Sequence, residues 1–177
     1  MIRPADPARD AAACAAIYAP FVIDHPSSFE LQPPDAATME ERIARTAATH
    51  AWLVDERDGR VAGYAYGGPH RERAAYRWSA EVSVYVDPAF HRRGVGRALY
   101  EALFARLRER GYRMAFAGIT LPNAGSVGLH EALGFELVGV FRRVGWKAGA
   151  WRDVGWWQLQ LAPQDETADG PPPPSPR

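Results

Sequence analysis

From Trp78 to Val86 the chain alternates strictly. Trp78, Ala80, Val82, Val84 and Val86 fall on one side, and Ser79, Glu81, Ser83 and Tyr85 on the other. A period of two over this length predicts a strand with one apolar and one polar face. Pro88, in the short run Asp87-Pro88-Ala89-Phe90-His91, ends it. The period then changes. Val95, Leu99, Ala102, Leu103 and Leu107 recur at helical spacing, and Gly111 stops the helix. Between strand and helix stands Arg92-Arg93-Gly94-Val95-Gly96, with Arg97 following. The first N–H groups of a helix have no partner within it, and the helix dipole adds positive charge there. Glycines at 94 and 96 allow close approach of a phosphate. The stretch therefore reads either as a diphosphate site or as an ordinary strand-to-helix turn with a solvated basic edge.

The same patterning places the other elements. Ile2-Arg3-Pro4 is a short strand. Asp6 and Pro7 have the character of an N-cap and first helical residue, and Ala12, Cys14, Ala15, Ile17, Tyr18 and Phe21 mark the helix face. His25-Pro26-Ser27-Ser28 breaks that helix, Phe29 to Leu31 is extended, and Asp35 caps a second helix that ends at Thr49. Ala51 to Asp55 and Val61 to Tyr66 are strands joined by a turn whose Asp58-Gly59 is a hairpin signal. Gly67 to Ala75 is a polar, charged connection. Beyond the central helix, Met114 to Ile119 is a strand. Asn123 caps a helix through Leu133, closed by Gly134. Phe135 to Val140 and Trp151 to Leu161 are the last strands, separated by an aromatic, glycine-rich segment, Phe141 to Gly149. The order predicts an α/β mixed sheet covered by helices, with the central strand–helix–strand unit parallel.

Composition narrows the function classes. The chain has 177 residues and a formal net charge of zero. One domain is expected over 1–162, and 163–177, rich in proline, is expected to be a disordered tail. Zero net charge argues against a nucleic-acid partner, while leaving room for a local basic funnel. No stretch is long and apolar enough to span a bilayer, and Met1-Ile2-Arg3-Pro4 does not begin a signal peptide, so no membrane partner is expected. The single cysteine, Cys14, sits in an apolar helix and is expected to be a buried thiol. A cytoplasmic location fits it.

Together these residues resemble the GNAT superfamily of acetyl-CoA-dependent N-acetyltransferases, over roughly 1–162. Ala75-Tyr76-x-Trp78-x-Ala80-Glu81-x-x-Val84-Tyr85-Val86, His130-Glu131-Ala132-Leu133-Gly134 and Gly145-x-Lys147-x-Gly149-x-Trp151-x-Asp153-Val154-Gly155 are similar to the phosphinothricin and methionine sulfone or sulfoximine acetyltransferase branch. One residue departs: His91 stands where the superfamily usually has Gln or Arg. The resemblance implies a mostly antiparallel six- to seven-stranded sheet with a central parallel crossover and about four helices. It implies acetyl-CoA as co-substrate and no metal. The pantetheine arm would lie along Val84, Tyr85 and Val86, the diphosphate on Arg92, Arg93, Gly94, Val95, Gly96 and Arg97, and Asn123 and Ser126 would be nearby. Asn123 is equally readable as a plain helix cap.

Acetylating an amine requires a neutral amine, so a group must take the ammonium proton. The resemblance gives this role to Glu81, whose partial burial would raise its pKa. Alone, Glu81 reads as a sheet carboxylate. His130 stands where many members carry a tyrosine that protonates the leaving thiolate. Alone, it reads as a helix histidine packed on the sheet. The oxyanion is expected to meet a backbone N–H near Val84 or Tyr85, where two strands splay. Arg71, Arg73 and Tyr76 in the charged connection are implied to hold the acidic end of a small amino-acid-like amine, with Phe29 and Tyr85 beside it. Lys147, Trp146 and Trp151 either close this pocket or serve as core or dimer contacts, the second being the preferred reading. A homodimer is implied. Competing functions are acetylation of a protein N-terminus or a polyamine, and a non-catalytic acyl-CoA-binding module.

Overall fold

A computed structural model describes residues 1–164 and 172–175. The expected tail lies largely outside them. Within its described part, the Trp78 indole N–H donates to the Pro172 carbonyl at 2.9 Å and Ser175 N–H donates to the Arg110 carbonyl at 2.9 Å.

The elements are β1 (Ile2–Pro4), α1 (Pro7–Ile23), α2 (Ala36–Thr49), β2 (Ala51–Arg57), β3 (Arg60–Pro69), β4 (Ser79–Val86), α3 (Val95–Glu109), β5 (Met114–Leu121), α4 (Ala124–Ala132), β6 (Glu136–Lys147) and β7 (Ala150–Gln160). Short 3₁₀ turns cover Ala74–Tyr76 and Pro88–Phe90. One seven-stranded sheet has the order β1-β2-β3-β4-β5-β7-β6. Every neighbouring pair is antiparallel except β4–β5. The mixed fold with a parallel crossover and four flanking helices is the one expected.

Local chemistry explains most boundaries. Asp6 accepts from Arg9 N–H at 3.0 Å, Asp35 from Thr38 N–H at 2.8 Å and Asn123 from Ser126 N–H at 3.1 Å, so each helix starts where its cap stands. Asp58 and Gly59 both have positive φ, which suits the tight β2–β3 hairpin. On α1 the buried stripe is Ala11, Cys14, Ala15, Tyr18 and Val22, spaced three and four apart, and Ala12 is exposed instead of buried as expected.

Two elements are longer than their sequence patterns suggest. β3 continues from Tyr66 through Gly67 and Gly68 to Pro69, because Gly68 pairs with Glu81 and Pro69 with Ala80 on β4. β6 continues through the aromatic, glycine-rich segment to Lys147 and closes on β7 by a two-residue turn, Ala148-Gly149, both at positive φ. Register shifts between Leu137 and Gly139 and between Phe141 and Gly145 break the alternation that would have marked this strand.

The alternation of β4 divides the core. Ala80 and Val82 face α3, joining Leu99, Leu103 and Leu107 in one cluster. On the opposite face Tyr85 packs against a second cluster built from α1, α2, Trp52, Val54 and Tyr64. The sheet is thus covered on both faces at its centre, and Tyr85 of β4 packs on Tyr18 and Phe21 of α1.

Candidate active site

β4 and β5 pair only at Ser79–Met114, Ala80–Ala115 and Glu81–Phe116. Beyond Glu81 they part. β4 follows β3 to Val86, while β5 follows β7 to Leu121. The opening is a cleft of about 640 Å³ lined by Val82 to Val86, His91, Arg92, Gly94 to Arg97, Tyr100, Ala117 to Thr120, Asn123, Ser126 and His130, among others. The family resemblance implies a splay here, and the register shows one.

The start of α3 forms one end of the cleft. Gly94 is its N-cap at φ 76°, a backbone conformation that L side chains rarely adopt. The first α3 bond runs from Ala98 N–H to the Gly94 carbonyl. The N–H groups just before it have no partner within the helix and are free for an anion. Arg92 and Arg97 line the same space. Arg93 does not: its guanidinium lies over the Phe90 ring at 5.7 Å. His91 binds the Val86 carbonyl through Nε2 at 3.0 Å, which ties the loop to the end of β4. The donor set fits a diphosphate, and the uncovered edge of β4 fits an extended amide-bearing arm.

His130 is buried at 3% exposure. Its Nδ1 lies 2.7 Å from the Ser126 carbonyl, which can only accept, so Nδ1 carries the proton. Nε2 then accepts from the Tyr100 hydroxyl at 3.0 Å. Burial lowers its pKa, against the Ser126 bond, so the ring is neutral near pH 7. Both ring nitrogens are engaged, and the group that His130 presents to the cleft wall is Tyr100. Sequence reading missed Tyr100 because its position on α3 looked like ordinary core. Burial raises its own pKa strongly.

Glu81 is the last β4 residue paired with β5, at the point where the strands separate. Its side chain is partly exposed. Burial raises its pKa above the usual carboxylate value, opposed by the charge of Arg71. The guanidinium of Arg71 rests 5.6 Å from the centre of the Trp156 ring. Tyr76 is exposed with its ring edge towards His70, 5.9 Å between centroids. The structure therefore groups Glu81, Arg71 and Tyr76 with His70, a residue that no sequence pattern marks. Arg73 opens the 3₁₀ turn, and among the described residues its side chain makes no ion pair or hydrogen bond.

Phe29 stands apart from this group, against β6. A Cβ on Gly145 would lie 2.7 and 2.8 Å from Phe29 ring carbons Cζ and Cδ2, so the ring occupies the space that only glycine leaves. Lys147 is buried and donates to the Glu30 carbonyl. Glu30 in turn takes both Arg42 nitrogens at 2.7 and 3.0 Å and the Tyr18 hydroxyl at 3.0 Å. This network holds the α1–α2 loop against the β6–β7 hairpin. Trp146 and Trp151 form an exposed edge-to-face pair, 5.6 Å between centroids, so they are not core. Among the described residues no cluster of His, Cys, Asp and Glu has the makings of a metal site, and no helix is long and apolar enough to cross a membrane.

Comparison with known proteins gives a consistent result. Residues 15–135 match the model of the acetyltransferase (GNAT) family. Phosphinothricin N-acetyltransferase of Streptomyces viridochromogenes is 40% identical over 89% of this chain and 85% of its own length. The L-amino acid N-acyltransferase MnaT of Escherichia coli is 38% identical over 89% of this chain and 92% of its own. A Salmonella typhimurium protein solved with its cofactor acetyl-CoA superposes with a TM-score of 0.89 at 36% identity, over 94% of this chain and 96% of the other.

Proposed function

The chain belongs to the acetyltransferase (GNAT) family and is an enzyme of that kind; we propose that it acetylates the α-amine of a small amino acid or analogue bearing an acidic end. The observation that carries the reading is the parting of β4 and β5 immediately beyond Glu81. It sets a partly buried carboxylate at the apex from which the strands diverge, while the cleft between them offers free helix N–H groups and two arginines at the α3 start. Acetyl-CoA, bound along that cleft, supplies the acetyl group as a thioester. Glu81 takes the proton of the incoming ammonium, forming its own O–H as the N–H breaks, and so frees the amine lone pair. Arg71 supplies positive charge for the acidic end of the amine, and Tyr76 lies beside it. Tyr100, held by neutral His130, presents its hydroxyl at the cleft wall. In this reading His130 contributes by orienting Tyr100.

The names borne by the relatives point to phosphinothricin-like and amino-acid acceptors, which fits the arginine charge that acts on Glu81. The test is an acceptor panel: acetyl-CoA with phosphinothricin, methionine sulfone, methionine sulfoximine, a polyamine and an N-terminal peptide, followed by release of free thiol. Turnover with the amino-acid analogues supports the reading. Turnover with the peptide or polyamine alone replaces the acceptor. Binding of acetyl-CoA with no turnover across the panel favours an acyl-CoA-binding module.

We further propose a homodimer formed through the β6 edge. Leu137, Val138, Phe141, Val144, Trp146 and Trp151 are all more than half exposed on or beside this edge strand. An apolar edge of that length normally needs a cover. Light scattering reads the mass directly, and a monomer at micromolar concentration removes the proposal.

A further inference from the structure

His70 follows directly on β3, and its ring is stacked on Phe116 of β5, 4.1 Å between centroids and 14° from parallel. Trp156 of β7 and Tyr76 close on it edge-on, each at 5.9 Å. Phe116 is the cross-strand partner of Glu81, so this box stands beside the carboxylate. The His70 side chain is 11% exposed, and its Nδ1 is buried without a hydrogen-bond partner among the described residues. A buried ring nitrogen left unpartnered is costly and calls for an explanation. The charged and titratable groups facing this corner are Arg71 from the connection, Tyr76 from the 3₁₀ turn, Tyr66 from β3 and Glu81 from β4; Phe116 and Trp156 add none. Arg71 can only donate. Glu81 Oε2 is an acceptor 4.0 Å from Nδ1.

We propose that His70 is a positioning residue for the acetyl-transfer reaction: its Nδ1–H donates to the Glu81 carboxylate and holds it ionised and aimed at the acceptor amine. The inference rests on the reading of Glu81 as proton acceptor. The present separation exceeds a charge-assisted hydrogen bond by about an ångström. Glu81 is free to close it, since its side chain is partly exposed and rotates about three bonds, and such contacts often tighten only when substrate arrives. The ring cannot do the same, because three aromatic neighbours hold it. The need is physical. Burial favours the protonated acid, and a bound acceptor that excludes water favours it further. Arg71 opposes that shift by charge alone, and an N–H donor opposes it with direction as well. His70 itself keeps its proton throughout. Burial and Arg71 both lower its pKa, so the neutral ring with a single N–H is the working form.

The test uses the free protein and the full reaction. Long-range ¹H–¹⁵N spectra report the His70 tautomer in the wild type, which needs no variant. The side-chain carboxyl carbon of Glu81, assigned by its loss in Glu81→Gln, reports the carboxylate titration. His70→Phe keeps the stack on Phe116 and removes the donor, and His70→Asn places an amide N–H where Nδ1 stood. The expected result is the Nδ1–H tautomer, a Glu81 midpoint raised by about one pH unit in His70→Phe, and restoration in His70→Asn. The acid limb of kcat/KM moves by the same amount while the KM for acetyl-CoA stays put. An Nε2–H tautomer, an unmoved Glu81 midpoint, or an acid limb that stays while the midpoint moves overturns the proposal. A wild type inactive on every amine, with the Glu81 midpoint still coupled to His70, supports the pairing and removes the acetylation reading instead.

Discussion

Glu81→Gln keeps the length and nearly the shape of the side chain while removing its ability to take a proton. Glu81 is not among the residues lining the cleft along Val84–Val86 and the α3 start, so the affinity for acetyl-CoA, measured by calorimetry, stays at the wild-type value. Turnover behaves differently. A positioned general base contributes about 10²- to 10⁴-fold, which at 1.36 kcal/mol per decade raises the barrier by about 2.7 to 5.4 kcal/mol. The pH profile gives a second readout. Burial places the Glu81 pKa above its ordinary value of 4.5, with Arg71 pulling the other way. Wild-type kcat/KM therefore falls on the acid side as Glu81 protonates, at a midpoint above the usual carboxylate range, and Glu81→Gln lacks this limb. The assay is release of free thiol from acetyl-CoA with methionine sulfone as acceptor. Cys14 does not interfere with a thiol reagent, because it is fully buried and burial pushes its pKa up to about 12. Wild-type turnover in the glutamine variant, or an acid limb retained at the same midpoint, refutes the assignment of Glu81 as base.

Three other variants probe the frame that holds the site. Asp10 is buried and receives Arg3 at 2.6 and 2.8 Å and the Asp6 N–H at 2.8 Å, so Asp10→Ala costs about 3 to 5 kcal/mol in urea unfolding, towards the lower figure because Arg3 keeps Glu56. These bonds hold the Asp10 pKa below 3.8 despite the opposing desolvation, so its stabilisation is fully present above the unfolded value and is lost as pH falls through the lower folded one; wild-type stability should drop below about pH 4, and the variant should show a shallower drop. Gly145→Ala drives a methyl into the Phe29 ring, and the expected result is a loss of about 1 to 3 kcal/mol in urea unfolding with the acceptor KM unchanged; a raised acceptor KM would return Phe29 to the acceptor wall. Tyr100→Phe leaves His130 Nε2 without its donor and should lower stability by about 1 to 3 kcal/mol, read by thermal unfolding, with slower turnover.

Much of this protein could be read along the chain. Asp6, Asp35 and Asn123 announce helix starts because a cap acts within three residues of itself. Asp58-Gly59 announces its hairpin for the same reason. The strict alternation of β4 marks its faces because its apolar residues Ala80 and Val82 pack on α3 while the polar ones point the other way. The glycine-arginine turn before Val95 is equally local, and it marked one end of the cleft. β6 shows where local reading ends. Its bulges at Leu137–Gly139 and Phe141–Gly145 break the period, so a twelve-residue strand looked like a short strand and a loop. Pairing with β7 is what holds it extended, and pairing is not written in one strand.

The site divides in the same way. Residue types and spacing pointed to the α3 start, and the family resemblance to Glu81 and His130, but roles depend on what stands opposite. Only the fold ends the β4–β5 ladder at Glu81, because β5 leaves to follow β7. Only the fold sets Ser126 and Tyr100 against the two nitrogens of His130 and leaves it no free one. Arg93 turned onto Phe90, and His70 was drawn into an aromatic box beside Glu81. The sequence determined which groups are available and where each chain segment begins. Tertiary structure decided which of them share a desolvated space, since burial and long-range pairing are what shift a pKa, occupy a donor or leave one open.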